Sequence, residues 1–368
     1  MLRVFEAFAG YGSQSIALRN LGVEYEVVAI SEIDKYAIKA YEAIHGSTNN
    51  LGDICKIDPK DIPDHDLFTY SFPCQDLSVA GKQAGLGKGT RSGLLYECEK
   101  IIEAKKPKYL LLENVKNLVG KKFKPQFDEW LEYLESLGYT NYWKVLNAKD
   151  YGVPQNRERV FVVSVLGEHK PYEFADKIPL DKCIADILED EVDEKYYLSD
   201  EIQNRFKITN QNKNIIGTTK PDFRTIGQRD LVYSEEGVMG ALVATDYKQP
   251  KQILIPQATK KGYIEMDLPG VCDLSYPNSK TRRGRVQEGG KIFPTLTAAS
   301  QDICYIEQLF RIRKLTPREC FRLMGMRDND IDKIQAVGIS NTQQYKMAGN
   351  SIVVDVLEAI FKNLFMEG

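Results

Sequence analysis

The sequence predicts an α/β fold with a mixed, mostly parallel sheet carrying helices on both faces, plus a smaller, irregular β-rich domain. Three observations predict it. Strand-like and helix-like segments alternate over about the first 165 residues. Two of the helical segments close on glycine, a natural stop. After about residue 170 the alternation gives way to short strands and turns.

Each element follows from its own pattern. LRVFEAF (2–8) is a compact apolar strand, and SQSIALRNLG (13–22) has helical spacing that ends at Gly22. YEVVAISE (25–32) is a second strand, and DKYAIKAYEAIHG (34–46) a second glycine-closed helix. DLFTYSF (66–72) is a buried strand, SGLLYECEKIIEAKK (92–106) a helix and KYLLLEN (108–114) a strand. FDEWLEYLESLGY (127–139) is an amphipathic helix; NYWKVLNA (141–148) and RVFVVSVLG (159–167) complete the strands. The acidic stretch DILEDEVDEKYY (186–197) reads as a solvated connection. GALVATDYK (240–248) and FPTLTAASQ (293–301) look alike but are too short to make a repeat. Thr316-Pro317 starts a helix with proline in its first turn, and Cys320 within it reads as a packing residue. The tail 343–365 is helical after a Gly-Asn turn. The expected division is a first domain over 1–185, completed by 341–368, and a second domain with its hinge over 186–340.

Composition narrows the function classes. A chain of 368 residues, 43% hydrophobic, can bury a sizeable core. The net charge of −3 means that a nucleic-acid partner must be held by a local patch. No apolar run approaches ~18 residues, so no membrane span is expected. The opening residues read as strand and turn, not as a secretory signal. Seven cysteines (55, 74, 98, 183, 272, 304 and 320) have no C-x-x-C pair, and three histidines complete no zinc pattern. No metal is expected, and scattered thiols suit a reducing cytoplasm. Cys74, after Pro73 at the end of a buried strand, is therefore either a packing residue or a nucleophile.

Several signals converge on the carboxyl edge of the predicted sheet, where α/β sites lie. Gly10 and Gly12 in FAGYGS (8–13) let a ligand approach the backbone at a helix start. The third glycine of a dinucleotide fingerprint is missing, which disfavours a nicotinamide enzyme. Glu32 ends the second strand and suits ribose hydroxyls; its plain alternative is a solvated strand-end charge. Asp53 and Ile54 in GDI suit an adenine, or a simple cap or turn. Glu113 ends a strand, and Arg157 and Arg159 share one face if their segment is extended.

The motifs FEAFAGYGSQSIAL, SEIDKYA, GDI, FPCQDLSVAGKQAGL, TRSGLLYE, LLLENVKNL, GVPQNRERVF, RKLTPRECFRLMG and QQYKMAGNSIVVDVLEAI occur in the order found in DNA cytosine-5 methyltransferases. The chain resembles that family over nearly its whole length. FTYSFPCQDLSV also resembles a CpG-methylating mollicute subgroup, although this catalytic segment says little about target sequence. The resemblance implies a class I S-adenosyl-L-methionine-dependent methyltransferase, Rossmann-like, with S-adenosyl-L-homocysteine as product. It implies Cys74 as nucleophile at C6 of cytosine, Glu113 at N3 and the exocyclic amine, and Arg159 at O2, with Arg157 alongside. It implies a cofactor site of Phe8, Ala9, Gly10, Tyr11, Gly12, Glu32, Ile33, Asp53, Ile54, Phe72, Pro73, Leu95, Asn350 and Ser351. Ile33 would stack on adenine where some relatives place tryptophan.

Chemistry at C6 requires access to the face of the base, so the cytosine must leave the stack. The loop 75–93 carries five glycines and reads as a lid, against the alternative of a loose connection. Gln75 and Ser78 are candidates to hold the flipped nucleotide or its gap. KTRRGRVQEGGK (280–291) sets five basic residues against one acid, and its Arg282, Arg283 and Arg285 suit guanine edges or phosphates. Its alternative is a solvated face. Thr295 and Thr297 match a phosphate-contacting family element; Arg229, Tyr247 and Lys248 are further candidates for DNA. The expected partners are double-stranded DNA and a cognate restriction endonuclease acting separately, with a monomeric enzyme in a bacterial or phage-infected cytoplasm. A tRNA cytosine-5 methyltransferase and a catalytically silent DNA-binding regulator are the competing readings. The variable region disfavours the first, and the intact Cys74, Glu113 and Arg159 set disfavours the second.

Overall fold

The computed structural model describes residues 1–73, 91–203, 207–212, 214–220, 230–248, 251–256, 270–273, 303–306 and 310–366. The chain divides into two compact units: Met1–Asp190 with Glu236–Pro250 and Leu315–Gly368, and Glu191–Glu235 with Lys251–Lys314. The return to the first unit therefore begins at Leu315, not at 341, and Glu236–Pro250 makes an earlier visit. The reason lies in local packing. Thr316 caps a helix through a reciprocal pair with Glu319, and Phe321, Leu323 and Met324 beyond it are buried. Phe321 meets Tyr11 edge-on with ring centres 5.6 Å apart.

The first unit opens with β1 (Leu2–Ala7), α1 (Ser13–Leu21), β2 (Tyr25–Ser31), α2 (Lys35–His45), β3 (Leu67–Tyr70), α3 (Leu95–Lys105) and β4 (Tyr109–Val115). It continues with α4 (Lys124–Ser136), β5 (Tyr139–Asn147), β6 (Gln155–Asn156) and β7 (Glu158–Leu166). The second unit contributes α5 (Asp200–Gln203), β8 (Lys207–Asn212), β9 (Ile215–Thr218) and β10 (Leu231–Ser234). The chain then re-enters the first unit with β11 (Met239–Gly240). The second unit resumes with β12 (Gln252–Pro256), β13 (Gly270–Asp273), β14 (Ile303–Ile306) and β15 (Phe310–Lys314). Four helices, α6 (Pro317–Arg322), α7 (Asp328–Ala336), α8 (Asn341–Asn350) and α9 (Val354–Phe365), complete the first unit.

Its six-stranded sheet has the order β2-β1-β3-β4-β7-β5. The pairs β1–β2, β1–β3 and β3–β4 are parallel, whereas β7 runs antiparallel to both β4 and β5. The carboxyl ends of β1, β2, β3 and β4 thus share one edge with the start of β7. Stacked Phe5, Phe68 and Tyr70 run through the core beneath it, with ring centres 5.2 and 5.1 Å apart. Each such buried side chain contributes about 1.5–3 kcal/mol through removal from water. The second unit has a five-stranded sheet, β15-β12-β10-β9-β8, and a separate β13–β14 pair. Leu198, Val232 and Ile312 form its buried cluster.

Glu6 is a buried carboxyl on β1. Ser15 Oγ and Tyr41 Oη each donate to it at 2.8 Å. Burial dominates those two donors and pushes its pKa up to about 7. The folded protein therefore holds a proton that the unfolded chain releases near its ordinary value of 4.5, and this contribution to stability falls as pH rises from 4.5 to about 7. Glu6→Gln should gain on the wild type by roughly 3 kcal/mol across that window. Denaturant midpoints of the two proteins, measured in parallel from about pH 5 to about pH 8, check the sign.

Candidate active site

The turn after β1 carries the first half of the site. Phe8 has φ +56°, a left-handed conformation costly for an L residue, and its N–H donates to the Ser31 carbonyl at 2.8 Å. Gly12, at φ +83°, is the residue before α1. A Cβ there would stand 2.4 Å from His45 Nε2 and 2.7 Å from Tyr41 Cε2. His45 Nε2 lies 3.1 Å from the Tyr11 carbonyl, so that nitrogen carries the proton and donates. Burial pushes the His45 pKa down to about 4 and keeps the ring neutral. Gly12 therefore fits the loop onto α2.

Glu32 ties this turn to the next. Its Oε2 accepts the Gly10 N–H at 2.9 Å, and its Oε1 accepts those of Ile33 and Asp34, each at 2.8 Å. Asp53 accepts the Cys55 N–H at 3.1 Å, capping a short turn while also facing the cavity. Ile33 is 73% exposed at the cavity rim, an apolar surface suited to a flat ring.

A cavity of about 330 Å³ gathers these residues at the carboxyl edge of the sheet. Phe8, Ala9, Gly10, Tyr11, Glu32, Ile33, Asp53, Ile54, Phe72, Pro73, Asn350 and Ser351 line it, as do Glu113, Arg157 and Arg159. Two expected lining residues do not. Gly12 packs against Tyr41 and His45 instead. Leu95 lies in the core, and Leu94 lines the cavity, because the Arg91–Leu94 turn leading into α3 brings the earlier leucine to this wall.

Glu113 and Arg159 meet across the register pair Val115↔Arg159, with Arg159 Nε 3.2 Å from Glu113 Oε1. Burial raises the Glu113 pKa; Arg159, then Arg157, oppose it without cancelling it. Arg157 lines the cavity beside them and also has structural partners. It falls between β6 and β7, and its buried guanidinium donates to the carbonyls of Leu242, Gly349 and Ser351 at 2.7, 3.1 and 2.7 Å. It clamps the cavity wall.

Three further residues escape the sequence reading. Asn114 Nδ2 donates to the Phe72 carbonyl at 3.0 Å, holding the segment that leads to Cys74; its signal is its place in ENV. Gln155 Nε2 donates to the Leu323 carbonyl at 2.6 Å, and its Oε1 accepts the Leu242 N–H at 3.1 Å. Lys346 Nζ pairs with Asp34 Oδ2 at 2.6 Å. Tyr247 and Lys248 lie in the first unit and are exposed, with the ammonium 5.9 Å from the ring centre. Cys74, Gln75, Ser78, Arg229, Arg282, Arg283, Arg285, Thr295 and Thr297 lie outside the described residues. Among the described residues no group of His, Cys, Asp and Glu is arranged to hold a metal, and no helix is long and apolar enough to cross a membrane.

The family profile of the C-5 cytosine-specific DNA methylases matches residues 2–366. The chain belongs to that family. This methylase is 39% identical to the type II methyltransferase M2.ScrFI of Lactococcus lactis subsp. cremoris, over 99% of each chain. It is 33% identical to the orphan methyltransferase M.SPRI of Bacillus phage SPR, over 99% of this chain and 97% of the other. In fold the methylase resembles the Dnmt2 methyltransferase of S. pombe, with TM-score 0.66, 19% identity and coverage of 100% and 99%. It also resembles the Entamoeba histolytica methyltransferase EhMeth, with TM-score 0.70, 17% identity and coverage of 100% and 98%. These distant likenesses bear on fold alone, and they agree with the class I methyltransferase architecture read from the sequence.

Proposed function

We propose that the protein transfers a methyl group from S-adenosyl-L-methionine to C5 of a flipped-out cytosine in duplex DNA, through a covalent adduct between Cys74 and C6. The observation that carries this reading is a single cavity in which a Gly10–Glu32 turn, an apolar rim and the Glu113–Arg159 pair converge. The cavity fits the donor. Glu32 and Asp53 offer carboxylates to ribose and amino groups, Ile33 and Ile54 offer apolar contact to adenine, and Asn350 and Ser351 offer polar contact at the opposite wall. S-Adenosyl-L-methionine supplies an electrophilic methyl on a sulfonium when bound there.

The protein's own groups supply the rest. Asn114 holds the Phe72 carbonyl, and Phe72 and Pro73, which precede Cys74 in the sequence, line the cavity. The Cys74 thiolate adds to C6 as Glu113 gives a proton to N3, and C5 becomes enamine-like. Arg159 holds O2 while orienting Glu113. After C5 takes the methyl, loss of its proton, return of the N3 proton to Glu113 and departure of Cys74 restore the ring. The names of the relatives support a role in a restriction-modification or phage setting, with DNA protection as the outcome.

The covalent step has a direct test. Duplex oligonucleotides carrying 5-fluorocytosine, incubated with the donor, should give a denaturant-stable conjugate that maps to Cys74, because fluorine blocks the loss needed for release. Cys74→Ser should form none. Binding of the duplex without any conjugate refutes the adduct.

A further inference from the structure

We infer that the Asp34–Lys346 ion pair is a strap across the rim of the donor cavity, and that its opening governs exchange of the donor for its demethylated product. The inference rests on this cavity being the donor site. Its two partners are 312 residues apart in sequence, one at the start of α2 and the other on α8, and both line the cavity. They bring together walls that no stretch of local sequence connects.

Other contacts also join distant walls of the cavity, among them that of buried Arg157 with Gly349 and Ser351. Tyr11 Oη donates to Ser351 Oγ at 2.7 Å; Tyr11 is buried, packed edge-on against Phe321. That seam is part of the packed interior. The Asp34–Lys346 seam is different: its side chains remain 28% and 41% exposed at the rim. Water can replace each partner there at small cost, so this seam can part without disturbing the core.

Asp34 is organised for the task. Its Oδ1 accepts the Tyr36 N–H at 2.9 Å, capping α2, while its Oδ2 faces Lys346. Burial alone would raise the Asp34 pKa, yet the Lys346 ammonium and the Tyr36 and Ala37 N–H groups hold it below its ordinary value. The carboxylate thus stays charged through the neutral range. Asp34 follows Ile33, the exposed apolar residue suited to the donor's flat ring, so closing the strap places the ion pair next to that contact. On α8, Lys346 precedes Met347 and stands one turn before Asn350, both of which line the cavity.

Stopped-flow binding of S-adenosyl-L-homocysteine to the full-length protein tests the strap. Lys346→Met should raise the association and dissociation rates together by about fivefold, the scale of a half-exposed ion pair. The equilibrium constant should change little. Asp34→Asn should do the same, because asparagine keeps the α2 cap and loses the charge. Lys346→Arg should stay close to wild type, and Asp34→Lys combined with Lys346→Asp should slow both rates again. Added salt should speed the wild type toward Lys346→Met. Unchanged rates in Lys346→Met overturn the strap. So does weaker binding carried by dissociation alone, which makes Lys346 a ligand contact. If the wild type fails to bind S-adenosyl-L-homocysteine at all, the donor reading of the cavity fails instead.

Discussion

Glu113→Gln is expected to slow methyl transfer by roughly 10²–10⁴-fold, the range for loss of a positioned acid, with donor binding nearly intact. The argument starts from the strand. β4 is buried from Leu110 to Asn114 and places Glu113, two residues before its end, on the cavity, where Arg159 Nε stands 3.2 Å from its carboxylate. Glutamine keeps the shape and can keep a hydrogen bond to the base. It cannot hand over a proton as the thiolate adds. The pH profile separates this role from simple packing. Burial raises the Glu113 pKa, and the proposed reaction uses the protonated form, so the wild-type rate should fall as pH rises through that raised value. Glutamine has nothing to titrate, and its residual rate should lack that alkaline limb. Single-turnover rates across pH for both proteins check the slope. An unchanged rate in the variant refutes the assignment.

The sheet and its helices were legible because burial and periodicity agree segment by segment. LRVFEAF and DLFTYSF contain β1 and β3, which are one and three residues shorter than those segments. Glu32 and Glu113 were legible because each stands at or near the carboxyl end of a strand, where a charge must point either to solvent or to a site. What the sequence hides is the use of backbone. Alternation sets Arg157 and Arg159 on one face, but a break between β6 and β7 falls at Arg157, and three carbonyls take its guanidinium. The Leu94–Leu95 exchange has a similar origin, because a short turn precedes α3 and changes which leucine reaches the wall. Asp34 and Lys346 leave no local signal, since each alone reads as a solvated charge. The first unit's return at Leu315 is equally silent: the composition does not change there, and only the buried side of α6 decides it.

Gly349→Ala should destabilise the first unit by about 3 kcal/mol and abolish tight donor binding, a larger penalty than one methyl group ordinarily brings. The sequence presents Gly349-Asn350 as a turn. In the structure Gly349 belongs to the last turn of α8, and its φ is not in the left-handed region. The requirement is space. A Cβ would stand 2.3 Å from the Val243 carbonyl carbon, 2.4 Å from the Ala244 nitrogen and 2.5 Å from the Val243 oxygen. All three atoms are backbone, so no side-chain rotation relieves the overlap. The Val243 segment cannot simply retreat, because Leu242 is held through its N–H by Gln155 and through its carbonyl by Arg157. If α8 moves instead, the Gly349 and Ser351 carbonyls leave Arg157, and Asn350 and Ser351 shift from the cavity wall. Either movement breaks the clamp that joins β6, the 242–248 segment and α8 around the cavity. Denaturant unfolding and a donor titration on the same preparation measure the two effects. A variant with wild-type stability and donor affinity shows that the segment can yield, and the clamp is then not what shapes the cavity.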